Sequence, residues 1–255
     1  MRVIGVGLVA GFLSGLFGVG GGILIVPALV LLLGFDQRLA HGTSLAAVLP
    51  IAISSLTTYA LADEVDWAFG SLLAVGAVTG AVIGTHFLHR LPHDALALAF
   101  AVLLAATAIR LLFDHSEGTG RAALDAFGVA IVIFVGLVTG VLAGLLGVGG
   151  GIFIVPAMVV GFGIPAATAK GTSLFMIVPT SIMGTWRNRK NGNADLRVAA
   201  ILGVAGILSA FVGGKISVGM SEALSNFLFA LLLLFVAVRM VWQVISDRRR
   251  VATAA

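Results

Sequence analysis

Residues 11–27 read GFLSGLFGVGGGILIVP, and residues 140–156 read GVLAGLLGVGGGIFIVP. The offset between the copies is 129 residues, and the same offset carries HGTSLAAVLP (41–50) onto KGTSLFMIVP (170–179) without a gap. In an apolar chain, duplicated segments broken by glycine and proline at matching places point to a transport site. Each glycine block sits inside a long apolar stretch. The first, residues 3–33, would reach roughly 46 Å as one helix, against about 30 Å of bilayer hydrocarbon. Glycine disfavours helix by about 1 kcal/mol per residue, so three in succession mark a break. Two half-length helices meeting at a glycine loop satisfy this, either as one broken crossing or as a re-entrant hairpin. Backbone irregular at that depth must be buried in protein or face a wet cavity.

Outward from these blocks the chain stays apolar. Hydrophobic residues make up 60% of its 255 positions, charged residues 10%, and the mean hydropathy is +1.15. Soluble domains carry about 25% charged residues. The composition therefore predicts an all-α polytopic membrane protein of two homologous repeats and about eight hydrophobic segments. The segments lie near 3–33, 42–62, 67–88, 94–113, 126–162, 171–187, 196–216 and 222–245. This divides the chain into a first repeat (1–113), a linker (114–125), a second repeat (126–245) and a basic tail (246–255). The Met1-Arg2 start followed by an apolar run has the look of a signal peptide. Its counterpart near Ala130 assigns it to the fold instead.

The net charge of +4 is distributed in loops between spans, so it reports membrane topology and excludes nucleic acid as the expected partner. The loop around 187–197 carries Arg187, Arg189, Lys190 and Arg197. Its counterpart at 62–66 carries Asp63, Glu64 and Asp66 and no cation. Opposite bias in equivalent loops leans toward inverted repeats. Arg248 to Arg250 put the C-terminal tail in the cytoplasm. Trp67, Trp186 and Trp242 fall at span ends as interfacial anchors, and Arg110 and Arg239 are expected to snorkel there. Glycines four apart, such as Gly7, Gly11 and Gly15, or Gly136 and Gly140, suit close helix packing.

The glycine blocks match neither a P-loop nor a dinucleotide fingerprint, so no nucleotide cofactor is expected. A helix starting after Gly20-Gly21-Gly22, or after Gly149-Gly150-Gly151, would present free N–H groups and a positive dipole end to an anion. Thr43-Ser44 and Thr172-Ser173 read equally well as helix N-caps or as hydroxyls for an oxyanion. His41 and Lys170 precede them at equivalent positions and would add positive charge. Pro27, Pro50, Pro156 and Pro179 each remove a helical hydrogen bond and are candidate hinges. His86, His89 and His93 fit no zinc pattern, so no metal is expected. Ser14 has no counterpart (Ala143) and no histidine at a convincing depth, which argues against an intramembrane hydrolase and for a protein that is not an enzyme.

The doubled GxGGGxxxVP motif, each copy followed by Ala-x-Gly-Thr-Ser-Leu, resembles the TauE/SafE sulfite exporter family over nearly the whole chain. The resemblance implies a small permease for sulfite, sulfonates such as sulfoacetate, or other small organic anions. It falls on Gly18 to Gly22, Pro27, Gly42 to Leu45 and Pro50, and on Gly147 to Gly151, Pro156, Gly171 to Leu174 and Pro179. The expected function is a secondary transporter in the cell membrane that moves a small anion by alternating access. Its coupling would come from a proton or sodium gradient or from the substrate's own gradient, and a passive anion channel is the alternative.

Overall fold

The computed structural model describes residues 2–87, 93–113, 126–146 and 149–254. Among them are ten α-helices, one π-helical segment and no strand. The apolar stretch at 3–33 is two helices, α1 (Arg2–Phe17) and α2 (Gly22–Leu33). Between them Gly18, Gly20 and Gly21 adopt φ of 68°, 79° and 72°. A side chain in this left-handed region costs roughly 1–2 kcal/mol per residue, so the glycines permit a reversal as well as a break. The chain does turn back. Gly21 packs on Ala10 of α1, and Leu32 and Leu33 at the end of α2 share a groove with Arg2, Val3 and Val6 at the start of α1. The two helices form a hairpin.

The second half repeats this with a difference. Helix α6 (Ala126–Leu146) is followed by α7 (Gly151–Pro156), and Gly150 packs on Thr139 and Ala143 of α6. After Pro156 the backbone is π-helical over Ala157–Gly161, whereas α2 stays α-helical through Pro27. Gly147 and Val148 lie outside the described residues, as do the 114–125 linker and the loop holding His89.

The remaining helices are α3 (Gln37–Leu61), α4 (Trp67–Phe87), α5 (His93–Phe113), α8 (Ala166–Lys190), α9 (Leu196–Gly219) and α10 (Glu222–Ala254). One reading is corrected here. Helix α3 starts at Gln37, capped by Asp36, whose carboxylate accepts from Leu39 N–H at 2.9 Å; α8 starts at Ala166 after Pro165. Thr43-Ser44 and Thr172-Ser173 thus lie inside helices and are not N-caps. The residues after 245 continue α10 as helix.

Among the described residues, four helices are long and apolar enough to cross a membrane: Gln37–Leu61, Ala126–Ala143, Leu196–Gly219 and Ala223–Trp242. Several shorter apolar helices accompany them, including both arms of the first hairpin and the second arm of the other.

The small residues four apart explain how the halves join. Gly7, Gly11 and Gly15 of α1 lie against the carbonyls of Leu202, Gly206 and Ala210 of α9. Gly136 and Gly140 of α6 lie against the carbonyls of Leu73 and Ala77 of α4. The 129-residue offset maps one set of pairs onto the other. Without a Cβ the backbones approach closely enough for dispersion and Cα–H···O contacts to hold them, the driving force available between apolar helices in lipid. Each half's first helix therefore packs on the other half's fourth. Helices α3 and α8 run antiparallel: Gly42 near the start of α3 meets Asn188 and Asn193 at the end of α8, and Gly171 near the start of α8 meets Tyr59 and Glu64 at the end of α3.

Candidate functional site

The two glycine loops meet between the middles of α3 and α8. A Cβ on Gly20 would stand 3.1 Å from Ile177 Cδ1 and 3.3 Å from Val48 Cγ1; one on Gly149 would stand 3.4 Å from Ile177 Cγ2 and 3.5 Å from Val48 Cγ1. Val48 and Ile177 are equivalent positions, one from each half. Val19 packs directly on Gly151, so the loops also touch each other. Val19, Val48 and Ile177 are all fully buried. The result is a closed apolar joint. The N-termini of α2 and α7 arrive at it with glycine caps in the left-handed conformation and no side-chain cap. First-turn N–H groups of a helix have no partner within it, and they carry the positive end of its dipole.

Ser173 joins this centre by donating from Oγ to Gly18 O at 3.0 Å. Ser44 is its buried counterpart. Lys170 contributes its backbone, which packs on Gly18, but its side chain leaves in another direction. Nζ donates to Ser225 Oγ at 2.6 Å and lies 5.2 Å from the Phe229 ring centroid. Phe229 stacks on Phe17, the last residue of α1, at 5.9 Å. Lys170 is only 1% exposed. A buried ammonium needs such hydrogen-bond and ring partners to offset its desolvation. His41 is half-buried near the start of α3.

Thr43 and Thr172 do different work. Thr43 Oγ1 accepts from Asp195 N–H, and Thr172 Oγ1 from Asp66 N–H, each at 2.9 Å. These aspartates in turn cap the next helix of the opposite half. Asp195 accepts from Arg197 and Val198 N–H, and Asp66 from Phe69 N–H. Beside each threonine, Gly42 or Gly171 lets the carbonyl of Asn193 or Glu64 approach. Each Gly-Thr pair is therefore a clamp that fastens one half to the helix-turn of the other. The four prolines are inside or at the end of their helices: Pro27 in α2, Pro50 in α3, Pro156 closing α7 and Pro179 in α8. Pro50 packs on Gly203 of α9.

Two residues carry more than their sequence reading assigned. Tyr59, the chain's single tyrosine, donates from its hydroxyl to Gly15 O at 2.8 Å and is hydrogen-bonded to Ser217 Oγ at 3.0 Å. It satisfies a carbonyl at the end of α1, just before the loop. Ser14 lies 3.4 Å from Ser55, Oγ to Oγ, in the same region. The signal was present: a phenol in an apolar span must find a partner. Arg110 turns inward, correcting the snorkelling expectation. Its Nη1 donates to Val159 O at 3.0 Å and Val160 O at 2.9 Å, within the π-helical segment. Arg239, its equivalent, is exposed.

Apolar helices of membrane-spanning length and two glycine hairpins meeting at a buried joint define a helical membrane protein. The profile described as "Sulfite exporter TauE/SafE" matches residues 1–111 and 131–255, and the chain belongs to that family. It is 26% identical over 243 residues to the probable membrane transporter protein YunE of Bacillus subtilis, covering 86% of this chain and 88% of the relative. A probable membrane transporter protein of Xylella fastidiosa (strain Temecula1) is 28% identical over 251 residues, with 94% of each chain covered. The probable membrane transporter protein MJ0441 of Methanocaldococcus jannaschii is 28% identical over 232 residues, covering 83% of this chain and 84% of its own.

Proposed function

We propose that the protein is a secondary transporter of the cell membrane that moves a small anion, sulfite or an organosulfonate such as sulfoacetate, by alternating access. The observation that carries this reading is the meeting of two glycine loops, each opening an uncapped helix, at one buried joint between α3 and α8. In it, Gly20 to Gly22 and Gly149 to Gly151 supply backbone N–H groups to the anion. Ser44 and Ser173 supply hydroxyls beside them, and Lys170 and His41 supply positive charge from unequal depths. Thr43 and Thr172 act at one remove by holding the clamps. Pro27, Pro50, Pro156 and Pro179 provide the hinges. The family description supplies the sulfur chemistry. The chain holds no nucleotide motif, so a proton or sodium gradient, or the anion's own, supplies the energy.

The halves are read as inverted repeats whose hairpins re-enter the membrane from opposite sides. Supporting this, α3 and α8 are equivalent helices that run antiparallel, and the first hairpin returns to the face where it began. Lys170 at the start of α8 meets Ser225 at the start of α10, so these two helices begin on one face and end on the other. The ends of α8 and α10 and the starts of α1, α3 and α9 then share a face bearing Arg2, Arg38, Arg187, Arg189, Lys190, Arg197 and Arg248 to Arg250. The opposite face carries Asp63, Glu64 and Asp66. The positive-inside rule makes the basic face cytoplasmic.

Two measurements test this reading. Because the chain has no cysteines, Asp63→Cys and Arg189→Cys can be introduced singly. In intact cells an impermeant maleimide should label the first and not the second; the same sidedness for both would overturn the inverted arrangement. Purified protein in liposomes should give saturable, gradient-driven sulfite or sulfoacetate flux. Flux that never saturates would replace the transporter by a passive channel.

A further inference from the structure

Among the described residues, three buried side-chain atoms have no hydrogen-bond partner: Ser181 Oγ, Thr185 Oγ1 and Asn226 Oδ1. Two of the three are one turn apart on α8. Ser181 is 0% exposed. The absence of partners is a matter of geometry at these positions, because hydroxyls elsewhere in the bundle bond back to their own helix. Thr180, the immediate neighbour, donates to Met176 O and Ile177 O, Ser55 to Ile51 O, and Thr107 to Leu103 O. A hydroxyl buried without a partner destabilises the fold that holds it, and in an apolar bundle an acceptable alternative side chain is always at hand. The equivalent positions in the first half are Ala52 and Leu56.

Their place on α8 connects them to the glycine loops. Ile177, one turn before Ser181, is the side chain against which Gly20, Gly149 and Gly151 pack. Gly184 packs on Leu45 of α3, and Asn188 meets Gly42 of α3. At 3.6 residues per turn, positions 177, 181, 184 and 188 share one face, so Ser181 lies on the α3-facing side between the joint and the basic end of α8. Thr185 continues the row by one turn. The matching row on α3, running from the joint to the acidic end, is already engaged. There Ser55 pairs with Ser14, and Tyr59 holds Gly15 and Ser217. One half-path has its hydroxyls tied into the packing of α1, α3 and α9. The other has two that are free to donate.

From this we infer that Ser181 and Thr185 form an anion subsite on the basic-face side of the glycine joint, which receives a small oxyanion such as sulfite by donating two hydroxyl hydrogen bonds. This deepens the transport reading and rests on it. Hydroxyl donors aligned about one turn apart can reach two oxygens of one anion, or pass it along the row. The pair also breaks the symmetry of the two half-paths, so affinity on the basic face is set by residues that the acidic face lacks.

The test compares Ser181→Ala, Thr185→Val and the double variant with Thr180→Val, in which the hydroxyl removed is one already satisfied by its own helix. Purified proteins in detergent are melted with and without sulfite, and half-saturating sulfite is measured from each face in liposomes of fixed orientation. The double variant should melt no lower than the parent without anion, because it removes unsatisfied groups. Its half-saturating sulfite from the basic face should rise about tenfold or more, the loss expected for hydrogen bonds to a charged ligand. From the acidic face it should change less than about twofold, and Thr180→Val should leave both unchanged. Equal affinity in parent and double variant, with parental flux intact, overturns the subsite and leaves the transporter standing. A double variant that melts lower with unchanged affinity assigns the hydroxyls to packing and overturns it as well. A parent that neither carries sulfite or sulfoacetate nor is stabilised by them removes the transport reading, and the subsite with it.

Discussion

Gly42→Ala or Gly171→Ala should each destabilise the folded protein by about 3 kcal/mol, the upper end for overpacking a tight contact, and the double variant should not fold. At both positions a Cβ would overlap a backbone carbonyl of the other half, that of Asn193 or Glu64. Backbone carbonyls of a turn cannot swing aside as a side-chain tip would. Each turn is also fixed by the adjacent threonine and by the aspartate that caps the following helix. Relief of the clash therefore means opening the clamp and leaving the Asp195 or Asp66 N–H unpaired. Gly5→Ala is the matching control: Gly5 has nothing within 4 Å of its Cβ position, and the change should be neutral or stabilise by up to about 1 kcal/mol. Thermal melting in detergent measures all four. A Gly42→Ala protein that melts with the parent would dismiss the clamp.

The second large effect is on transport. Gly20→Ala combined with Gly149→Ala should reduce flux by at least about tenfold, equivalent to a barrier raised by about 1.4 kcal/mol. Here the obstacles are the methyl tips of Ile177 and Val48 at 3.1–3.5 Å, which can yield by a few tenths of an ångström. The protein should still fold, at a cost of roughly 1–2 kcal/mol per site for placing alanine at φ of 79° and 81°. The two methyl groups wedge against Ile177 and Val48 and so obstruct the closing of the joint that alternating access requires. Gly161→Ala, on the π-helical segment with open space around it, should leave flux near the parental value. Parental flux in the Gly20, Gly149 double variant would remove the glycine joint from the substrate path.

How much of this was legible beforehand depended on whether the cause was local. The break at residues 18–21 was readable because glycine's helix penalty acts wherever glycine stands. Whether the chain continued or reversed was not, since the reversal rests on three positive φ values and on Gly21 seating against Ala10. The N-cap alternative at Thr43 and Thr172 fails, although a threonine before an apolar run satisfies that pattern. The chain uses Asp36 and Pro165 instead, and those hydroxyls accept from the opposite half. Arg110 was read as an interfacial cation from its place near a helix end. The carbonyls it holds belong to a π-helical segment that only the second half forms.

The helical class, the apolar environment, the recurrence of two motifs at a 129-residue offset and the positions of the breaks are all readable from the chain. Each of these follows from composition or from a residue's own backbone preference, so no partner is needed to see it. The packed bundle is what shows that the halves exchange helices, α1 onto α9 and α6 onto α4, and that both glycine loops close on Val48 and Ile177. It alone separated the bonded hydroxyls of Tyr59 and Ser55 from the unpartnered ones of Ser181 and Thr185. The physical reason is common to all three. Van der Waals contact and hydrogen bonding act within a few ångströms, and which residues come that close across 129 positions of chain is a property of the packed bundle.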